Sequence, residues 1–192
     1  MIRVMLDTDQ LSALDGNCEL LATYSDLVPH PGELRAKFPN SHILLIDRGT
    51  GDPSGQASIM DVETGAHSVA DIPAWLDRKA AQGVKYRTLY VNRSNMAAAQ
   101  SAAGARVHYL WVATLDGTAF VGRYRALHGP AAIQILPEAK LDAHDDLSLV
   151  FEDSWEPTGS RLPANVLRRE IHSCISANAR LGSELHRVAG QV

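Results

Sequence analysis

The chain has 192 residues, 45% of them hydrophobic and 21% charged, with a formal net charge of −4. That is globular composition, enough for one good core and too little for two large domains. No run of 18 apolar residues is present, so no membrane span is expected. The first residues lack the basic and apolar stretches of a signal peptide. The expectation is a protein made in the cytoplasm, released by lysis or carried in a particle. From residue 161 onward five arginines face two glutamates, which puts +3 there and −7 on the rest. An acidic globular part argues against nucleic-acid binding.

Apolar runs bounded by turn residues recur along residues 1–157. Strands are predicted at Met1–Leu6, Leu20–Tyr24, His42–Asp47, Ala57–Val62, Thr88–Asn92, Val107–Ala113, Ala131–Leu136 and Leu147–Phe151. Helices are predicted near Gly32–Lys37, over Ser68–Gln82, and over the alanine-rich Ser94–Ala103, the last two stopped by Gly83 and Gly104. The middle helix shows a partial apolar face of Ala70, Pro73, Ala74, Leu76, Asp77 and Ala80. Residues 48–56 are rich in Gly, Asp, Pro and Ser and read as a loop; they lack the Gly-Lys-Ser/Thr ending of a phosphate loop. Eight strands with short crossovers predict an α/β fold, a parallel sheet curled into a reduced (β/α) barrel of TIM-barrel type. A full barrel of that type takes roughly 250 residues, so several helices must be absent or shortened.

Residues 158–192 read as a linker followed by a C-terminal helical tail. Glu156-Pro157-Thr158-Gly159-Ser160 is linker-like, and Pro163 suits a first helical turn. Leu167, Ile171, Cys174, Asn178, Leu181, Leu185 and Val188 then follow at steps of four and three. Such a heptad stripe fits a short coiled coil making a homo-oligomer or a larger assembly through 163–192, or a helix docked on the barrel.

The chemistry is carried by carboxylates. Asp61 and Glu63, two apart at a strand end, point the same way. Strand ends on one barrel face carry the reactions of this fold class. Paired there, one carboxyl stays protonated while the other stays ionised, as cleavage of a glycosidic bond requires. Asp7 and Asp146 sit at the ends of the first and last strands, neighbours in a closed barrel. Asp142, His144, Asp145 and Asp146 are adjacent in a turn and do not make a metal set, and Cys18 and Cys174 fit no zinc spacing or disulfide framework. Neither a metal nor another cofactor is expected. His67 lies within reach of the pair or on the surface. No nucleophile elbow or Ser-His-Asp triad is present.

An ordered series of segments over residues 3–155 resembles the family-25 glycoside hydrolases, the N-acetylmuramidase lysozymes. The series is Leu6-Asp7-Thr8, Met60-Asp61-Val62-Glu63, Pro73-Ala74-Trp75-Leu76, Leu89-Tyr90-Val91-Asn92, Tyr109-Leu110-Trp111-Val112-Ala113, Ala132-Ile133-Gln134 and Asp146-Leu147-Ser148-Leu149. It is most similar to the divergent lysozyme-like domains of actinobacteria and their phages. The resemblance implies Glu63 as general acid, with Asp61 stabilising the reacting sugar by orienting its N-acetyl group. It implies Asp7 and Asp146 on the floor of the site, Tyr90 and Trp111 along the sugar cleft, and Gln134 on the barrel rim. The implied partner is a cell-wall polysaccharide.

The sequence departs from that family after the first strand, where Thr8-Asp9-Gln10-Leu11 lacks an aromatic, and after Gln134, where Ile135-Leu136-Pro137 stands. Aromatic residues make up only 6%. Two functions fit: a muramidase cutting peptidoglycan, or a catalytically silent barrel serving as a virion or cell-surface component through its tail.

Overall fold

The computed structural model describes residues 3–10, 20–28, 30–114, 132–136 and 146–150. The predicted linker and helical tail lie outside the described residues. Eight strands close a barrel in sequence order: β1 Arg3–Thr8, β2 Leu20–Tyr24, β3 His42–Asp47, β4 Ile59–Val62, β5 Thr88–Asn92, β6 Tyr109–Ala113, β7 Ala132–Leu136 and β8 Asp146–Val150. Among the described residues three α-helices accompany them: α1 Pro31–Lys37, α2 Ile72–Ala81 and α3 Met96–Ala103. The fold is α/β, a reduced barrel. None of these helices is long and apolar enough to cross a membrane.

The sheet corrects one expectation. β1 through β7 run parallel to one another, but β8 runs antiparallel to both β7 and β1. Only residues 137–145 join β7 to β8, fewer than the dozen or so that a parallel crossover takes. The chain therefore turns back, and β8 starts where the other strands end.

Strand alternation divides the apolar residues into two cores. Met5, Leu20, Ala22, Leu44, Ile46, Ile59, Tyr90, Trp111, Ala113 and Val150 fill the barrel. Met60, Val62, Leu89, Val91, Leu110 and Val112 point outward, against Ile72, Trp75 and Leu76 of α2 and Ala99 and Ala103 of α3. Inside, the Trp111 indole N–H donates to Ser148 Oγ at 3.0 Å, which ties β6 to β8 across the core.

The buried stripe of α2 is Ile72, Trp75, Leu76 and Lys79, at helical spacing. The predicted face is corrected here: Ala70, Ala74, Asp77 and Ala80 are exposed. Larger apolar side chains bury more surface than alanines and set the rotation of the helix. Lys79 is buried because Asp52, from the loop after β3, pairs with its ammonium, and Asp52 also accepts the Ala57 N–H at 2.9 Å. The glycine-containing loop thus folds down onto α2. On the same outer side, Asp47 accepts from Trp75 Nε1 at 2.8 Å and from the Gly49 N–H at 3.0 Å, and lies 3.1 Å from His67 Nε2. Burial alone would raise the Asp47 pKa; these hydrogen bonds outweigh it and hold the carboxylate low. His67 belongs to this network, in neither of the two places foreseen for it.

Candidate active site

Alternation places Asp7 on the inner face with Met5, Asp61 on the inner face with Ile59, and Asp146 on the inner face with Ser148 and Val150. Asp7 and Asp146 are register partners in the β1–β8 pair. Asp61 sits beside Tyr90 in the β4–β5 register, and Tyr90 beside Trp111 in β5–β6. The sequence-predicted acids therefore meet at one mouth of the barrel.

Glu63 follows β4 at the same mouth. Two backbone hydrogen bonds fold the chain back there: Ala66 N–H to the Glu63 carbonyl and His67 N–H to the Asp61 carbonyl, both 3.1 Å. Gly65 takes a positive φ of 94° in this turn, where a side chain would be strained. The turn leaves Glu63 half-buried above Asp61, which is only 5% exposed.

Burial pushes the Asp61 carboxyl up to about 7, and the charge of Glu63 adds to the push. Arg48 opposes it. Asp61 Oδ1 is buried and has no hydrogen-bond partner among the described residues, which leaves desolvation of the charged form uncompensated. Glu63 is also raised, by burial first and then by the charge of Asp146. Both carboxyls of the sequence-predicted pair are thus raised. For both carboxyls burial is the larger cause and a neighbouring negative charge the smaller.

Two tyrosines report how near these acids lie to one another. The Tyr90 hydroxyl is driven up by burial and by Asp7, Glu63, Asp61 and Asp146 together. The Tyr24 hydroxyl is driven up by burial and by Asp61, Asp7 and Asp146. Tyr24, at the end of β2, and Arg48, just after β3, are the residues that the sequence reading missed. The Arg48 guanidinium lies 4.5 Å from the centre of the Tyr24 ring. Asp26 holds it there, accepting from Nη2 at 2.7 Å and Nε at 3.1 Å, and accepts from Thr50 Oγ1 at 2.8 Å. The inward parity of Leu20, Ala22 and Tyr24 was available to find Tyr24; no local pattern marks Arg48.

Trp111 does not border a cleft. It is fully buried, at 0% exposure, edge-on to Tyr90 with ring centres 4.6 Å apart. The barrel needs a large side chain at that level, and the Ser148 hydroxyl satisfies its N–H. Tyr90, 8% exposed, is likewise largely core, with its hydroxyl toward the acids. Gln134 stands in β7 as the register partner of Ser148 in β8. Half-buried Tyr24 is the aromatic at the mouth among the described residues. These residues also contain no group of three or more side chains able to hold a metal ion.

No family model matches the sequence, and no curated protein matches it. Among solved structures the chain is similar to a virulence factor of Streptococcus pneumoniae, a glycosyl hydrolase 25 participating in host cell invasion. The TM-score is 0.51 and the identity 12%, over 78% of this chain and 87% of that one. At that identity the likeness is one of fold: this chain has a glycosyl-hydrolase-25-like barrel.

Proposed function

We propose that the chain is a glycoside-hydrolase-like domain that cleaves the glycan strands of peptidoglycan as a muramidase, with Glu63 as the general acid. The observation that carries this reading is the gathering of Asp7, Asp61, Glu63 and Asp146 around Tyr24 and Tyr90 at one end of the barrel.

Asp61 and Glu63 titrate as a pair, so their protons belong to both. In the free protein the deeper Asp61 is favoured as the proton's seat. A sugar laid over Glu63 strips water from it, which raises its proton affinity and draws the proton outward. Glu63 then protonates the glycosidic oxygen as the bond to the anomeric carbon breaks. Asp61, now ionised, accepts a hydrogen bond from the N–H of the sugar's acetamido group. Its carbonyl oxygen closes on the anomeric carbon. Water opens that ring, and its proton returns to Glu63. Asp7 and Asp146 form the floor and disfavour loss of the proton through their negative charge.

Mass analysis of the products tests the bond assignment. Fragments ending in reducing N-acetylmuramic acid support it, and fragments ending only in reducing N-acetylglucosamine contradict it.

The second reading is a silent barrel used as a virion or surface component. The burial of Trp111 and Tyr90 favours it, since among the described residues Tyr24 is left as the aromatic surface at the mouth. A native protein that binds peptidoglycan but releases no fragments supports this reading.

A further inference from the structure

At the barrel end opposite the acids, the ladder between β3 and β5 opens. β4 begins at Ile59, beside Ile46 and Thr88. Ser58 carries the ladder one residue further, donating to the Leu45 carbonyl at 3.1 Å and accepting from the Thr88 N–H at 2.8 Å. Then the chain leaves the sheet, because the Ala57 N–H bonds to Asp52, which is itself anchored on Lys79. Continued at the same register, residues 55–57 would lie between 42–44 and 84–86. A cleft of about 550 Å³ opens at that level.

One wall is the edge of β3, and the other is the turn and bend at residues 82–86 that lead into β5. Along a parallel strand the backbone groups turn alternately to one neighbour and the other. The Leu45 carbonyl turns toward β4, so the N–H and C=O of Ile43, two residues earlier, turn into the cleft. The cleft also has a charge. Arg35 and Lys85, both exposed, line it, with Arg35 Nη1 donating to Gln56 Oε1 at 3.2 Å, and among the described residues its lining holds no carboxylate, although the chain is −4 overall.

We propose that this cleft binds an extended acidic peptide segment as an added strand along the edge of β3, its carboxylates facing Arg35 and Lys85. Main-chain hydrogen bonds to Ile43 supply affinity, and the two cations select for acidic side chains.

The test uses the full chain and a blocked five-residue peptide alternating valine with aspartate. Its counterpart has lysine for aspartate, and phosphate serves as the free anion. The acidic peptide is expected to bind with Kd on the order of 0.1 mM and to slow amide exchange at Ile43. The lysine peptide is expected to bind at least about tenfold more weakly, and Arg35→Glu with Lys85→Glu to weaken the acidic peptide by at least about tenfold. No binding at about 5 mM overturns the proposal. So does equal binding of the lysine peptide. Binding that phosphate reproduces, with Ile43 exchange unchanged, shows a free-anion site and overturns strand addition.

Discussion

Asp7 and Asp146 face each other across the β1–β8 pair although they lie at opposite ends of the barrel sequence. The pairing depends on the reversal of β8. In a parallel barrel the first residue of the last strand would lie at the far mouth, about five residues of strand away from Asp7. One short connection thus brings a fourth carboxylate to the site.

The Asp61 carboxyl sets a pH dependence of stability. Its pKa rises from 3.8 to about 7 on folding, so the folded state keeps a proton that the unfolded chain releases. Stability from this group is fully present below about pH 4 and is lost as pH rises through about 7. The loss is on the order of 4 kcal/mol at most, at about 1.4 kcal/mol per unit. Asp61→Asn removes the ionisation, so urea unfolding at about pH 8 is expected to show the variant more stable than the native protein. The advantage is expected to shrink toward about pH 4.

Arg48 acts against that burial. Arg48→Met removes the positive charge that favours ionised Asp61 and frees the Tyr24 ring from its clamp. The Asp61 carboxyl is expected to titrate at higher pH in the variant, read by carbon NMR of the labelled side chain. An unchanged titration contradicts this electrostatic role.

Lys79 and Asp52 hold the β3–β4 loop on α2. Lys79→Ala leaves the Asp52 carboxylate almost buried without its cation, a loss worth about 3–5 kcal/mol in comparable sites. Lys79→Met with Asp52→Leu is expected to recover part of that stability in urea unfolding, because neither charge is then stranded.

Ser148→Ala removes the acceptor for the buried Trp111 N–H. An unsatisfied buried donor costs about 1–3 kcal/mol, and thermal unfolding is expected to register that loss.

Much of the fold was legible because its strands are short, apolar and punctuated. Leu20–Tyr24, His42–Asp47 and Thr88–Asn92 stand where their residues predict. The direction of β8 was not legible from periodicity, which is the same for parallel and antiparallel strands; the length of its connection held the answer. The convergence of Asp7, Asp61 and Glu63 followed from parity and strand ends. Arg48 was hidden, because its place depends on Asp26 and Tyr24 from another strand. The family resemblance implied Trp111 along the sugar cleft, and the closed barrel shows that its ring fills the core instead.

The most direct test of the central proposal compares reducing-sugar release from peptidoglycan by the native protein and by Glu63→Gln. The glutamine keeps the shape and removes the transferable proton, so release by the native protein and a loss of about 10²–10⁴-fold in the variant are predicted. Equal release by both proteins, or none by either, contradicts Glu63 as the acid of a working glycosidase.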